Sequence, residues 1–238
     1  MGNRRLAAPI WAGNVAQTRE NKMADNAFWV YGAGLLVATA YVPMTSGGSS
    51  FTKSVVKTVP LVLFSVASLM VGTPPLLTAA LLFSALGDFA LSRRGASSFL
   101  YGLSAFALAH LLYIMLFWDV VGLPPWDAFA AAPIFAIAMI GIAVSTELWL
   151  SPFTDRLRWP VRIYVALIGV MMLAALTLPA ALAVVTFGAA LFVLSDLILS
   201  IQLFRMTENH ALYRQAGWAV WVFYVGGQAL ILLGFLAA

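Results

Sequence analysis

The sequence contains no cysteine. Disulfides, thiolate metal sites and cysteine nucleophiles are therefore excluded. Charge is nearly as scarce. Asp, Glu, Lys and Arg make up 9% of the chain, against about 25% in a soluble domain. The length would hold two soluble domains, but no stretch has the polarity for one. Only two histidines occur, which disfavours a histidine-rich intramembrane zinc hydrolase. The net charge of +4 is spread over short loops. It forms no basic patch, so no nucleic-acid partner is expected. The amino-terminal segment also lacks the charged, apolar and small-residue succession of a cleaved signal peptide.

What the chain has is apolar length. Hydrophobic residues make up 63% and the mean hydropathy is +0.95. This composition predicts an all-α, polytopic membrane protein with about eight transmembrane helices; a multi-pass place in the bacterial cytoplasmic membrane is expected. Residues 1–26 read as a polar tail, of which 1–22 look appended or disordered, and residues 27–238 as an eight-helix membrane domain. The predicted spans are Ala27–Met44, Ser54–Gly72, Pro75–Leu91, Ser98–Trp118, Trp126–Trp149, Trp159–Pro179, Leu182–Phe204 and Tyr213–Ala238. Gly/Ser-rich and Pro-Pro stretches separate several of them, and Pro60 and Pro133 are possible sites of distortion inside two others. The loops after the first, third, fifth and seventh spans, with their flanks, carry Lys53, Lys57, Arg93, Arg94, Arg156, Arg158, Arg162, Arg205 and Arg214. Those loops are expected in the cytoplasm.

Asp88, His110 and Asp196 lie within otherwise apolar runs. Ionisable groups at membrane depth cost about 2.5–3.5 kcal/mol each on insertion scales, so they are functional candidates by default. The other buried polar groups, Lys57, Arg162, Tyr164 and Gln228, fall at mid-depth or toward the basic-loop ends of their spans. A cavity open to that face is expected. The purely structural alternative pairs Asp88 with Lys57 and Asp196 with Arg162. Tyr113, Tyr164 and Tyr224 have packing or interfacial roles as their commoner use. A short internal echo relates Leu86-Gly87-Asp88-Phe89-Ala90-Leu91-Ser92 to Leu194-Ser195-Asp196-Leu197-Ile198-Leu199-Ser200. It suggests two parallel four-helix halves, which would bring both acids to one interface.

Two carboxylates on facing helices can divide acid and base work, one protonated and one ionised. Hydrolysis of an acetal-like or enol-ether bond through an oxocarbenium ion needs that division. Asp88, His110 and Asp196 are also a ligand set suited to zinc or iron. A third use of intramembrane acids is cation binding or proton coupling in a transporter.

The chain resembles the YhhN-like membrane family, which includes the transmembrane lysoplasmalogenases. The resemblance rests on Leu86-Gly87-Asp88, on Phe99, Gly102, Phe106, His110 and Tyr113 at their spacing, and on Pro160-Val161 with Tyr164. It continues through Leu194-Ser195-Asp196 and through Tyr224, Gln228 and Leu230. Lys57 precedes Pro60 with two residues between them, where the family has the two adjacent. The resemblance implies a hydrolase that cleaves the vinyl-ether bond of lysoplasmalogen, a lysophospholipid, to a fatty aldehyde and a glycerophospho-base. It carries Asp88 and Asp196 over as catalytic, with His110, Tyr164 and Gln228 lining the site. Lys57, Tyr113, Tyr224 and Arg162 complete the candidate substrate-binding set, and no cofactor is expected. A membrane transporter and a metal-dependent lipid amidase or esterase are the alternatives.

Overall fold

The computed structural model describes residues 10–45 and 48–237. The described residues form helices and turns only. The helices are α1 (Ile10–Tyr41), α2 (Phe51–Val71), α3 (Pro75–Leu91), α4 (Ala96–Val121), α5 (Ala128–Ala131), α6 (Pro133–Trp149), α7 (Arg158–Leu176), α8 (Ala183–Arg205) and α9 (Tyr213–Leu236). Among the described residues six stretches are helical, long and apolar enough to cross a membrane: Lys22–Met44, Phe51–Val71, Ala96–Val121, Asp155–Leu176, Ala180–Arg205 and Tyr213–Leu236. The chain is a multi-pass membrane protein. The other two of the eight expected spans are α3 and α6, apolar helices of 17 residues each. Helix α1 begins within the segment read as a polar tail, and residues 1–9 of that segment lie outside the described residues.

Proline effects differ between the two positions expected to distort helices. Pro60 is buried inside α2, which runs on unbroken. Pro133 divides the segment expected as one span over Trp126–Trp149. The chain instead makes a turn at Pro125–Asp127, the four-residue α5, and a fresh start at Pro133. Ala132 lies outside the α region, with φ −147° and ψ 65°, because the residue before proline is pushed out of that region.

The polarity runs opposite to that of a soluble protein. Trp29, Leu36, Leu69, Ile134 and Leu148 are exposed on the outside, while Asp88, His110, Ser84 and Gln228 are buried within. Lipid solvates the first group. The second must find its partners inside the protein.

Helix packing follows one order twice. Helix α1 packs on α2, α2 on α3, and α3 on α4. Likewise α6 packs on α7, α7 on α8, and α8 on α9. The two series meet where α4 touches α7 and where α2 touches α9. Helices α8 and α9 approach so closely that a Cβ on Gly188 would lie 2.7 Å from the Gly227 carbonyl oxygen. Only glycine permits that approach, a device common between helices in membranes. Asp88 on α3 and Asp196 on α8 stand the same number of residues from the starts of their helices.

Candidate active site

Asp88 is fully buried on the inner face of α3. Its Oδ1 lies 3.1 Å from Lys57 Nζ on α2. The Tyr224 hydroxyl on α9 donates to Oδ2 at 2.7 Å. Asp88 thus holds a cation on one oxygen and a hydroxyl donor on the other, an arrangement that suits the ionised carboxylate. Beside it, Gly87 has no Cβ, and one built there would lie 2.6 Å from the Phe106 ring. The missing side chain lets Phe106 on α4 pack directly against α3.

Asp196 occupies the corresponding place on α8. The Tyr164 hydroxyl on α7 donates to its Oδ2 at 3.2 Å. His110 Nε2 on α4 lies 3.4 Å from the same oxygen. The other ring nitrogen, Nδ1, is 2.7 Å from the Phe106 carbonyl one turn earlier. So each acid takes one partner from the helix preceding its own (Lys57 or Tyr164). It takes the second across the seam, from α9 (Tyr224) or α4 (His110). Between the two nests stand aromatic rings. Phe192 lies 4.7 Å from the His110 ring and 5.4 Å from the Tyr224 ring. Phe106 meets Tyr224 edge-on at 5.6 Å.

Two cavities share a wall here. A polar vestibule of about 940 Å³ reaches from Lys57, Asp88 and Tyr224 out to Lys53 and Arg214 in the first turns of α2 and α9 and to Arg93 and Arg94 in the loop after α3. It opens to the basic-loop face, where the sequence placed a cavity. A narrow apolar crevice runs among α4, α6, α7 and α8, lined by side chains such as Leu103, Met139, Ile142 and Val165. Asp196, Phe99, Phe106 and Leu199 border both spaces. Asp196 is therefore the acid at which a polar chamber meets a hydrocarbon-lined slot.

Several expected site residues sit elsewhere. Arg162 does not pair with Asp196. It forks onto Glu147, with its Nε 2.8 Å from Oε1, at the half-exposed edge of α7. Positions two apart on a helix point to nearly opposite sides, so a register that aims Tyr164 inward turns Arg162 outward. His110, Tyr113 and Gln228 were expected to line the cavity. Their side chains are fully buried and border neither space. Tyr113 donates to Gln228 Oε1, and Gln228 Nε2 donates to Ser84 Oγ at 3.0 Å. This chain braces α3, α4 and α9 behind the cavity wall. Tyr164 lines the crevice and Lys57 and Tyr224 the vestibule. The three-ligand metal set is not assembled either. Among the described residues no three His, Asp or Glu side chains come together, since Asp88 faces Lys57 while His110 and Asp196 face each other.

Sequence reasoning did not select Ser84 or Phe192. Ser84 lies one turn before Asp88 on the same helix face, a spacing that would have flagged it. Phe192 likewise lies one turn before Asp196, but a phenylalanine in an apolar helix carries no signal of its own.

A model of the YhhN family matches residues 52–235. The chain belongs to the YhhN family. The match covers every residue of the two acid nests, from Lys57 on α2 to Tyr224 on α9. No curated protein and no solved structure gives a significant match.

Proposed function

We propose that this YhhN-family protein hydrolyses the vinyl-ether bond of a single-chain lysophospholipid, releasing a fatty aldehyde and a glycerophospho-base. The observation that carries this reading is the junction at Asp196, where the polar vestibule and the apolar crevice share a wall. Such a junction suits an amphiphile with one chain. The alkyl tail fits the crevice, the phosphate-bearing head fits the vestibule among basic side chains, and the bond between them falls beside the acids. Asp88 and Asp196 are the catalytic pair of this reading, one giving a proton and the other remaining an anion. Lys57, Tyr164 and Tyr224 orient the two carboxyls.

The repeated packing order and the matching positions of the acids support eight membrane crossings in two parallel four-helix halves. In that arrangement the 17-residue α3 and α6 also span, near the lower limit of about 17 residues for a bilayer. The basic loops face the cytoplasm.

The test uses two lipids that differ only at the reacting bond. The purified protein is incubated with a vinyl-ether lysophospholipid and with its saturated alkyl-ether counterpart, and products are read by mass spectrometry. Consumption of the vinyl ether alone is expected, because only a vinyl carbon can accept the proton. A membrane transporter would return both lipids unchanged. Cleavage of ester or amide lysolipids instead would point to a different hydrolase.

A further inference from the structure

The two acid nests are equivalent in place but not in chemistry. Asp88 has a lysine ammonium and a tyrosine hydroxyl. Both are donors, so the carboxylate is satisfied as an anion with no further proton. Asp196 has a tyrosine hydroxyl and an imidazole, and the imidazole is constrained. The Phe106 carbonyl can only accept, so His110 Nδ1, 2.7 Å away, must carry a hydrogen. A neutral His110 would then turn the bare lone pair of Nε2 toward Asp196 Oδ2 at 3.4 Å. Nε2 is the one buried side-chain polar atom among the described residues without a hydrogen-bond partner. A lone pair facing a carboxylate is repulsive where the nitrogen is closed off from solvent, and an unmet buried polar atom is costly. One added proton removes both penalties, whether it resides on Nε2 or on the carboxyl.

We propose that His110 and Asp196 hold one proton in common, and that this pair is the proton donor of the site while Asp88, held by Lys57, is the permanent anion. The inference rests on the proposed vinyl-ether chemistry for its second half only. His110 borders neither cavity, so it acts through Asp196, which borders both. His110 is a positioning and proton-holding residue, and Asp196 is the group that meets substrate. The shared proton passes to the vinyl carbon remote from the ether oxygen, and the π electron pair forms the new C–H bond. Positive charge develops on the carbon bearing oxygen, as an oxocarbenium ion. Water adds to that carbon through its oxygen and returns one proton to the His110–Asp196 pair. The hemiacetal then breaks its C–O bond to glycerol as its hydroxyl proton moves to the departing oxygen. Aldehyde and alcohol leave, the pair is recharged, and the net change is addition of one water.

The chain has only two histidines, so nitrogen NMR on histidine-labelled protein reads the pair directly. His210→Gln identifies the signal of the other ring. The expected wild-type result is a hydrogen on His110 Nδ1 and a protonated or strongly hydrogen-bonded Nε2. In Asp196→Ala the Nε2 signal should become that of a bare ring nitrogen, while Asp88→Asn leaves it unchanged. A bare Nε2 in the wild type overturns the shared proton, whether or not the variants fold. The donor assignment is tested by rescue. Asp196→Ala should regain aldehyde release in proportion to added acetic acid–acetate buffer at fixed pH, and Asp88→Ala should not. Rescue of Asp88→Ala, or of neither variant, overturns the assignment. A shared proton in a protein that releases no aldehyde from any vinyl ether would leave the pair standing and refute the function on which the donor role rests.

Discussion

Arg162 and Tyr164 stand two residues apart on α7, yet one grips Glu147 at the outer edge and the other donates to Asp196 inside. The difference separates two roles that the sequence alone had grouped together. Arg162→Gln removes a half-exposed ion pair, which contributes little to stability. Activity and thermal stability should stay near wild type. Tyr164→Phe removes a hydrogen bond to the acid. Such bonds to charged partners are worth about 1.5–3 kcal/mol, so kcat/KM should fall roughly 10–100-fold. Steady-state kinetics on the two variants checks both statements.

Lys57 and Asp88 form a largely buried pair, with side-chain exposures of 18% and 1%. Lys57→Met leaves the acid without its cation, and breaking a buried pair typically costs about 3–5 kcal/mol. The melting temperature in detergent should drop markedly. The double variant Lys57→Met/Asp88→Leu removes both charges and should recover most of that loss while remaining inactive. A double variant as unstable as the single one would mean that the stranded charge on Asp88 is not the source of the loss.

Behind the wall, Tyr113, Gln228 and Ser84 form a chain of donors and acceptors. Gln228→Leu strands the Tyr113 hydroxyl and should cost about 1–3 kcal/mol. Adding Tyr113→Phe to that variant should restore part of the stability, because both halves of the bond are then gone. Thermal unfolding of the single and double variants measures the coupling.

The crevice makes a prediction about chain length. Ile142 sits on its α6 wall and is 40% exposed, so a larger residue can be accommodated there without repacking the core. Ile142→Trp should narrow the slot. Each buried methylene contributes about 0.8 kcal/mol, and the ratio of kcat/KM for long over short chains should fall by roughly tenfold or more. An unchanged ratio would place the chain elsewhere.

Much of this was legible in the sequence, and for identifiable reasons. The cost of an acid in lipid singles out Asp88 and Asp196 without any structure, and the Leu-x-Asp echo relates their helices. Turn chemistry marked most helix ends to within a few residues. Side-chain direction was less legible. Arg162 lay at the right depth for Asp196, but a helix rotates by about 100° per residue, and apolar runs on every side give no stripe from which to read the facing side. His110, Tyr113 and Gln228 stood out as polar groups in apolar runs. Whether such a residue lines a cavity or braces its wall depends on packing across α3, α4 and α9, which no local pattern encodes. The break at Pro133 was written in the sequence, but apolar residues on both sides masked it.

The central claim is that two buried aspartates in this fold cleave a vinyl ether. It is tested most directly by quantifying fatty aldehyde released from a vinyl-ether lysophospholipid by purified wild-type, Asp88→Asn and Asp196→Asn proteins, each verified as folded by its melting curve. The account predicts aldehyde from the wild type and a loss of roughly 10²–10⁴-fold in each variant. Aldehyde release at the wild-type rate by both folded variants, or intact lipid after incubation with the wild type, would contradict it.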